Sequence, residues 1–192
     1  MLDSLQKALE EQIRDLYSAE GQLVKALPKM AKAATSDALR EAFTSHLDET
    51  QHHVERLQNI ARMLEFKPGG KKCKAMEGLI EEGKEVLEED GEDAVIDVAL
   101  IAAAQRVEHY EIAAYGTARA LAERLGMPEV VELLQETLDE EGAADKKLTE
   151  ICEGEVLSAA AGVGDAKAAQ GVAAPSKNGT TAVSSKKRAP AE

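Results

Sequence analysis

The sequence is poor in aromatic residues throughout, and in glycine and proline before residue 153. Aromatic residues make up 3% of the 192 positions, whereas Ala, Leu, Glu and Lys dominate residues 1–152. Tight turns need glycine and proline, and the interiors of long helices exclude both. The composition therefore favours a helical bundle over a turn-rich fold and predicts an all-α domain long enough to bury a core.

The sequence also lacks any long uncharged apolar run and any cysteine motif. No stretch of about 18 apolar residues is free of charges, and Met1-Leu2-Asp3-Ser4 does not begin a signal peptide. We therefore expect a soluble cytoplasmic protein with no membrane partner. Cys73 and Cys152 form neither a Cys-x-x-Cys pair nor a zinc-binding pattern, so both are expected to be free thiols.

Basic residues are too few to balance the acidic ones. The formal net charge is −13 at pH 7, and residues 1–152 hold 18 basic and 32 acidic residues. Such an acidic body repels nucleic-acid phosphates and anionic lipids, so we expect neither as a main partner. Divalent cations are attracted instead.

Apolar residues recur every three or four positions in four long segments, which predicts four helices. These segments span about residues 3–34, 38–64, 95–125 and 128–152. A shorter helix is predicted between residues 71 and 91, on a connection long enough to cross a bundle. Residues 153–192 contain few large apolar side chains. We therefore predict a helical domain over residues 1–152 and a disordered tail over residues 153–192.

Each long segment places an acidic residue in or beside its apolar stripe. Glu20, Glu111 and Glu141 fall inside their stripes, and Glu49 lies at the border of its stripe. All four are 14 or 15 positions from the turn of their hairpin, so they are level across two antiparallel hairpins. No Lys or Arg lies inside these stripes. Because buried unpaired carboxylates are costly, we expect a bound cation.

The second helix offers two candidate histidine sets. Glu49 and His52 have the Glu-x-x-His spacing of di-iron bundles, but the helical wheel turns His52 away from the apolar face. The same wheel points His46 and His53 inward. We favour the inward set and keep the Glu-x-x-His pair as the alternative. Tyr17 is expected in the core, with a hydrogen bond to a ligand as the alternative.

Two further acids, one turn from the level set, complete the prediction. The predicted metal ligands are Glu20, His46, Glu49, His53, Glu108, Glu111, Glu141 and Asp145. Six carboxylates and two imidazoles suit two iron ions, with manganese as the alternative, better than zinc. One such acid alone is often a partly exposed rim residue, and one such histidine is often a satisfied core residue. Agreement among four helices favours a metal site.

The pattern also resembles a known family. The chain resembles the YciE/YciF group of ferritin-like bacterial stress proteins over about residues 1–152. The resemblance is carried by Tyr17-Ser18-Ala19-Glu20, by His46-Leu47-Asp48-Glu49-Thr50, by the stretch from Leu100 to Gln105, and by Glu140-Glu141 with Asp145. It supports every predicted ligand except His53, which rests on the helical wheel. The fourth helix departs from the usual di-iron pattern because it offers no histidine.

The resemblance implies a ferritin-like four-helix bundle with a di-metal centre, a homodimer and a link to stress responses. The leading hypothesis is a di-iron carboxylate protein, ferroxidase- or peroxidase-like, that reacts with dioxygen or peroxide and uses Glu49 and Glu141 as bridges between the metals. The alternative is a non-enzymatic metal-binding or stress scaffold that acts through protein partners. A manganese catalase is a third hypothesis.

Overall fold

The computed structural model describes residues 2–162, and it is helical with no strand in that range. Its five α-helices are α1 Leu5–Ala33, α2 Asp37–Met63, α3 Lys74–Glu88, α4 Asp93–Arg124 and α5 Pro128–Ile151. The predicted all-α fold with four long helices and one short helix in the crossover is confirmed, and each long helix begins and ends within two residues of its predicted bounds. The helix α1 continues through Pro28.

The four long helices form two hairpins. The helices α1 and α2 pack together as the first hairpin, and α4 and α5 form the second. The hairpins meet where α1 contacts α4 and where α2 contacts α5, and α3 lies against α1 and α4. The buried apolar residues divide into two clusters. One contains Leu9, Leu57 and Leu134, and the other contains Leu23, Leu39 and Leu100.

Local hydrogen bonds fix the ends of the helices. The Ser4 and Ser36 hydroxyls each accept a backbone N–H from the first turn of α1 and α2, both at 3.2 Å. After α4, Gly126 has φ +71° and ends the helix, as the sequence predicts. After α2 the same left-handed position is taken by Glu65, with φ +57°. The Phe66 N–H closes this turn on the Ala61 carbonyl at 2.9 Å.

A buried carboxylate joins the two hairpins at the turn between α1 and α2. Asp97, 1% exposed, accepts the backbone N–H groups of Thr35 at 3.0 Å and of Ser36 at 2.7 Å. It also accepts the Thr35 hydroxyl at 2.6 Å. Asp97 therefore satisfies the donors of a turn on one hairpin from the first helix of the other.

The helical backbone continues past residue 152, where the sequence prediction ended the domain. A π-helical turn spans Cys152–Val156, and helix follows to residue 162. In a regular α-helix residue 155 would lie two turns below Leu148. The extra residue of the π turn puts Val156 there instead, 3% exposed and packed in the core. Glu155 turns outward and accepts a hydrogen bond from the Ser36 hydroxyl.

The rest of the predicted tail, residues 163–192, lies outside the described residues, so its disorder stays a prediction. No helix in the described part of the chain is both long and apolar enough to span a membrane.

Candidate metal centre

Six buried residues from the four long helices meet between the two hairpins. The first group of potential ligands contains His46 of α2, Glu108 and Glu111 of α4, and Glu141 of α5. The second contains Glu20 of α1, His53 of α2 and Glu141 again. Within each group the ligand atoms lie within 4.8 Å of one another. The structure thus brings together six of the eight predicted residues, and Glu141 belongs to both groups.

The imidazole of His46 occupies the first group. Its Nε2 atom lies 3.5 Å from an oxygen of Glu108 and 3.7 Å from an oxygen of Glu141. Its other nitrogen, Nδ1, lies 3.3 Å from Glu49. The ring can therefore present Nε2 to a metal while Nδ1 is held by a carboxylate.

The imidazole of His53 belongs to the second group. In this ring Nδ1, and not Nε2 as in His46, faces the clustered carboxylates. Its Nδ1 atom lies 3.1 Å from Glu141 and 3.5 Å from Glu20. Its Nε2 atom lies 3.0 Å from Glu140. Tyr115, 1% exposed, donates its hydroxyl to the Glu20 carboxylate. Oε1 of Glu20 therefore contacts both Tyr115 and His53, and Oε2 is buried without a hydrogen-bond partner.

The buried polar atoms of this cluster are not satisfied by protein groups. Among the described residues, eight buried side-chain nitrogen and oxygen atoms lack a hydrogen-bond partner. They are one oxygen each of Glu20 and Glu108, both oxygens of Glu111 and of Glu141, Nε2 of His46 and Nδ1 of His53. The short distances between these atoms lack hydrogen-bond alignment. Because all eight belong to the six clustered residues, the donor set fits metal ions, which satisfy several lone pairs at once.

Opposing effects act on the two imidazoles. Burial favours the neutral form of His46, but the carboxylates of Glu108, Glu49 and Glu141 outweigh it and raise the pKa of His46 to about 9. Burial likewise opposes the charge on His53, whose contacts with Glu141 and Glu20 raise its pKa to about 10.

The carboxylates respond differently to the same surroundings. Burial, followed by repulsion from neighbouring acids, raises the pKa of Glu111 well above its usual range. Burial also raises the pKa of Glu108 and of Glu20. Burial opposes ionisation of Glu141 too, but contact with His53 and His46 holds its pKa below the usual value. The metal-free cluster therefore retains protons that a cation must displace.

Two predicted ligands lie outside both groups. The Glu49 side chain is 42% exposed and contacts His46 rather than Glu141, the residue with which it was predicted to bridge. The Asp145 side chain accepts the Gln105 amide at 3.0 Å and lies 3.4 Å from the exposed His109. The wheel had put Glu49 only at the border of its stripe.

The wheel correctly separates the histidines of α2. His46 and His53 are 6% and 0% exposed, whereas His52 is exposed to solvent. Tyr17 is not the tyrosine that contacts the cluster, since its hydroxyl accepts the Gln58 amide at 3.2 Å. Tyr115 has that role. Its spacing of four from Glu111 was the available signal.

Glu140 was not among the predicted ligands, but it contacts one of them. Its side chain, 32% exposed, reaches His53 and pairs with Arg56. Burial would raise the pKa of Glu140, but the hydrogen bond from Arg56 lowers it. Glu140 is therefore a charged acceptor that orients His53, held in place by a cation on the same helix as the histidine.

Known proteins are similar to this chain in sequence and in fold. The family model described as "Domain of unknown function (DUF892)" matches residues 4–161. Protein YciF of Escherichia coli strain K12 is 51% identical over 140 residues, which cover 72% of this chain and 84% of that protein. The crystal structure of the E. coli stress protein YciF superposes with a TM-score of 0.78 at 46% identity, covering 80% of this chain and 98% of that chain.

A more distant structure supports the fold alone. The ferritin-like, diiron-carboxylate proteins from Bacillus anthracis strain Ames match with a TM-score of 0.61 at 18% identity, over 78% of this chain and 98% of that one. The bundle is thus ferritin-like, and its buried His/Glu cluster is compatible with two metal ions. Because the family model spans almost the whole helical part and half the aligned residues are identical to YciF, this chain belongs to the DUF892 family, in the YciE/YciF group that its sequence resembles.

Proposed function

We propose that this protein is a di-metal carboxylate protein that holds two iron ions between its hairpins and reacts with dioxygen or peroxide. One observation carries the proposal: eight buried polar atoms without hydrogen-bond partners converge on two ligand groups that share Glu141. Buried polar atoms are otherwise almost always paired. A pair of cations is the simplest arrangement that satisfies them all.

The donor types favour iron, with manganese as the alternative. The two groups contain four carboxylates and two imidazoles and no thiolate, whereas zinc more often takes thiolates or three histidines. We assign Glu141 as the bridging ligand. Glu49 and Asp145 are proposed as ligands that move in when the ions bind, since Glu49 already contacts His46.

The surrounding residues prepare the ligands for this task. Glu140 accepts from Nε2 of His53, which leaves Nδ1 free to bind a metal. Tyr115 fixes one oxygen of Glu20 and is positioned to hold a proton near the centre. When bound, two ferrous ions would supply the two electrons that cleave the O–O bond of a peroxide; with two protons, hydrogen peroxide would leave as two waters and an organic hydroperoxide as an alcohol and one water. Excluding bulk water around such a centre limits side reactions.

Metal stoichiometry tests the proposal. The protein purified without added metal, then loaded with ferrous iron without oxygen, is expected to bind about two ions per chain by elemental analysis. Glu141→Ala should lose most of this metal. Asp139→Ala is the matched control, because Asp139 lies on the same helix, is exposed and pairs only locally with Gln135. Unchanged stoichiometry in Glu141→Ala would refute the site.

Turnover separates the enzyme from the alternative. A ferroxidase- or peroxidase-like protein, loaded with iron, should consume peroxide through many cycles in the presence of a reductant. A stress scaffold that binds metal and acts through protein partners should not. Restoration of activity by manganese instead of iron would favour a manganese catalase.

We also propose the cytoplasm as the location and a homodimer as the assembly, as the family resemblance implies. Sedimentation at several protein concentrations measures the assembly.

A further inference from the structure

A cleft between α2 and α5 leads from solvent to the proposed centre. It contains a cavity of about 140 Å³ that is open to solvent. Its inner end is formed by His46 and Glu108, each of which directs an unpartnered atom into the buried cluster. Its outer part is bounded by Glu49, Glu140 and Lys147.

Small side chains keep this cleft open. Ala42 of α2 faces Ala143 and Ala144 of α5 across it, with Phe43 and Leu148 completing the apolar walls. Ala143 is exposed and Ala144 is half-buried. Larger residues at these positions would therefore project into the opening rather than into the packed core.

We propose that this cleft is the route by which metal ions and the oxidant reach the centre, and that its volume admits dioxygen, hydrogen peroxide and small organic hydroperoxides but not larger peroxides. The inference rests on the proposed function and adds the route and the substrate class. An engineered cavity of about 150 Å³ holds one benzene molecule, so a cavity of about 140 Å³ accommodates a tert-butyl group but not a substituted aromatic ring or a fatty-acyl chain.

The charges at the mouth act on ions and not on neutral oxidants. Glu49 and Glu140, 42% and 32% exposed, attract cations, whereas Lys147 repels them. A charge near the path of an ion changes its association rate, and the effect falls with ionic strength. A neutral peroxide is insensitive to the same change. Charge and size therefore provide two independent tests of one route.

The size test uses Ala144→Leu and Ala143→Leu, with Ala113→Leu as the control because Ala113 is exposed on α4 and does not line the cleft. Cobalt(II) uptake is followed by its absorption after rapid mixing with metal-free protein. Ala144→Leu should slow uptake at least tenfold while the final stoichiometry stays at that of the unmodified protein, and the control should match the unmodified protein. Uptake at the unmodified rate in both cleft variants would overturn the route. If Ala144→Leu lowers the final stoichiometry, the uptake rate of Ala143→Leu is compared with that of the control and of the unmodified protein instead.

The charge test uses Lys147→Glu against Lys146→Glu. Both change the net charge equally, but Lys146 lies outside the cleft in an exposed pair with Glu150 at 3.8 Å. Lys147→Glu should accelerate cobalt uptake several-fold more than Lys146→Glu at low salt, and the difference should vanish at high salt. Equal acceleration would show that the ions do not pass Lys147.

The substrate class is tested with the iron-loaded protein and peroxides of rising size. Hydrogen peroxide and tert-butyl hydroperoxide should be consumed at least ten times faster than cumene hydroperoxide, and Ala144→Leu should slow the first two. Equal rates for all three would overturn the size limit. Failure of the unmodified protein to bind metal would instead refute the proposed function, so the two failures are distinguishable.

Discussion

Glu111 is fully buried, and neither of its oxygens has a hydrogen-bond partner among the described residues. Burial, followed by repulsion from nearby acids, raises its pKa. An acid in such a position weakens the metal-free fold, because its charged form loses hydration without a compensating contact. Residues that serve a binding site often cost stability in this way.

Glu111→Gln is therefore expected to stabilise the metal-free protein while weakening metal binding. The amide removes, with little change of shape, an acid that at neutral pH must either stay charged without hydration or take up a proton on folding, which should raise the free energy of unfolding by at least about 1 kcal/mol. Differential scanning calorimetry of the metal-free protein measures the gain. Glu55→Gln, at an exposed position of α2, should change the melting temperature little. A lower melting temperature for Glu111→Gln would contradict the argument.

The histidines of α2 provide a second test at the scale of single residues. His46→Ala should weaken metal affinity by about one to two orders of magnitude, the scale for disturbing a ligand or its support. The loss of metal affinity in His53→Ala should be smaller than in His46→Ala but measurable. His52→Ala is the matched control and should keep full affinity, because His52 is exposed. Competition with a chelator measures all three. The reverse order would require α2 to be rotated and the Glu-x-x-His pair to be restored.

The inward residues could be predicted because the helical period alone determines them. Glu20, His53 and Glu141 follow from that period, and all three are fully buried. Glu140 could not be predicted in this way, because a long side chain can reach back along the helix surface to a partner that the wheel does not show. Asp97 was missed for a related reason: its partners are the backbone donors of a turn 61 and 62 residues away in the sequence.

At the scale of helices, the chain reverses after α2 and after α4 with the same backbone conformation but with different residue types. Both continue into a left-handed position, with φ +57° at Glu65 and +71° at Gly126. The sequence marks the second end with glycine and does not mark the first. The sequence therefore predicts the end of α2 near residue 64 without identifying the residue that reverses the chain. The left-handed conformation favours glycine, which has no Cβ atom, whereas Glu65 has one.

Glu65→Gly is expected to stabilise the protein by about 1 kcal/mol, because glycine adopts the left-handed conformation without the steric cost of a Cβ atom. In a domain of this size the melting temperature should rise by about 2–4 °C. Glu65→Ala separates the two contributions of the substitution. It removes the carboxylate but keeps the Cβ atom, and it should give no comparable gain. Equal stabilisation by Ala and Gly would assign the effect to the side chain instead.

At the scale of the whole molecule, Val156 extends the packed core beyond residue 152, where composition predicts that the domain ends. Composition predicts that residues 153–192 contribute nothing to stability, yet Val156 is buried beside Leu148 in one apolar cluster. Full burial of a valine contributes about 1.5–3 kcal/mol. Two large apolar residues, Val156 and Leu157, in a stretch of small and polar residues are too weak a pattern to move a predicted boundary.

Two truncations should therefore differ. Deleting residues 163–192 is expected to leave the melting temperature and the metal content nearly unchanged, because that segment contains few large apolar side chains that could dock. Deleting residues 154–192 should lower the melting temperature by several degrees, since it removes Val156. Circular dichroism on heating compares the two. Similar losses in both would show that the last thirty residues also contribute to the fold.

The π turn at Cys152–Val156 behaves as a one-residue insertion in a helix whose register is otherwise continuous. Removing Gly154, which is exposed, should convert the turn into ordinary α-helix and keep the valine below Leu148. It also removes a glycine, which costs about 1 kcal/mol in a helix interior, so this deletion should be neutral or stabilising. Removing Asp139 from the regular part of α5 would instead rotate Leu134 by about 100° relative to Glu141, and the protein should no longer bind metal. Length variation in natural relatives is therefore expected at the π turn and not between the residues of the centre.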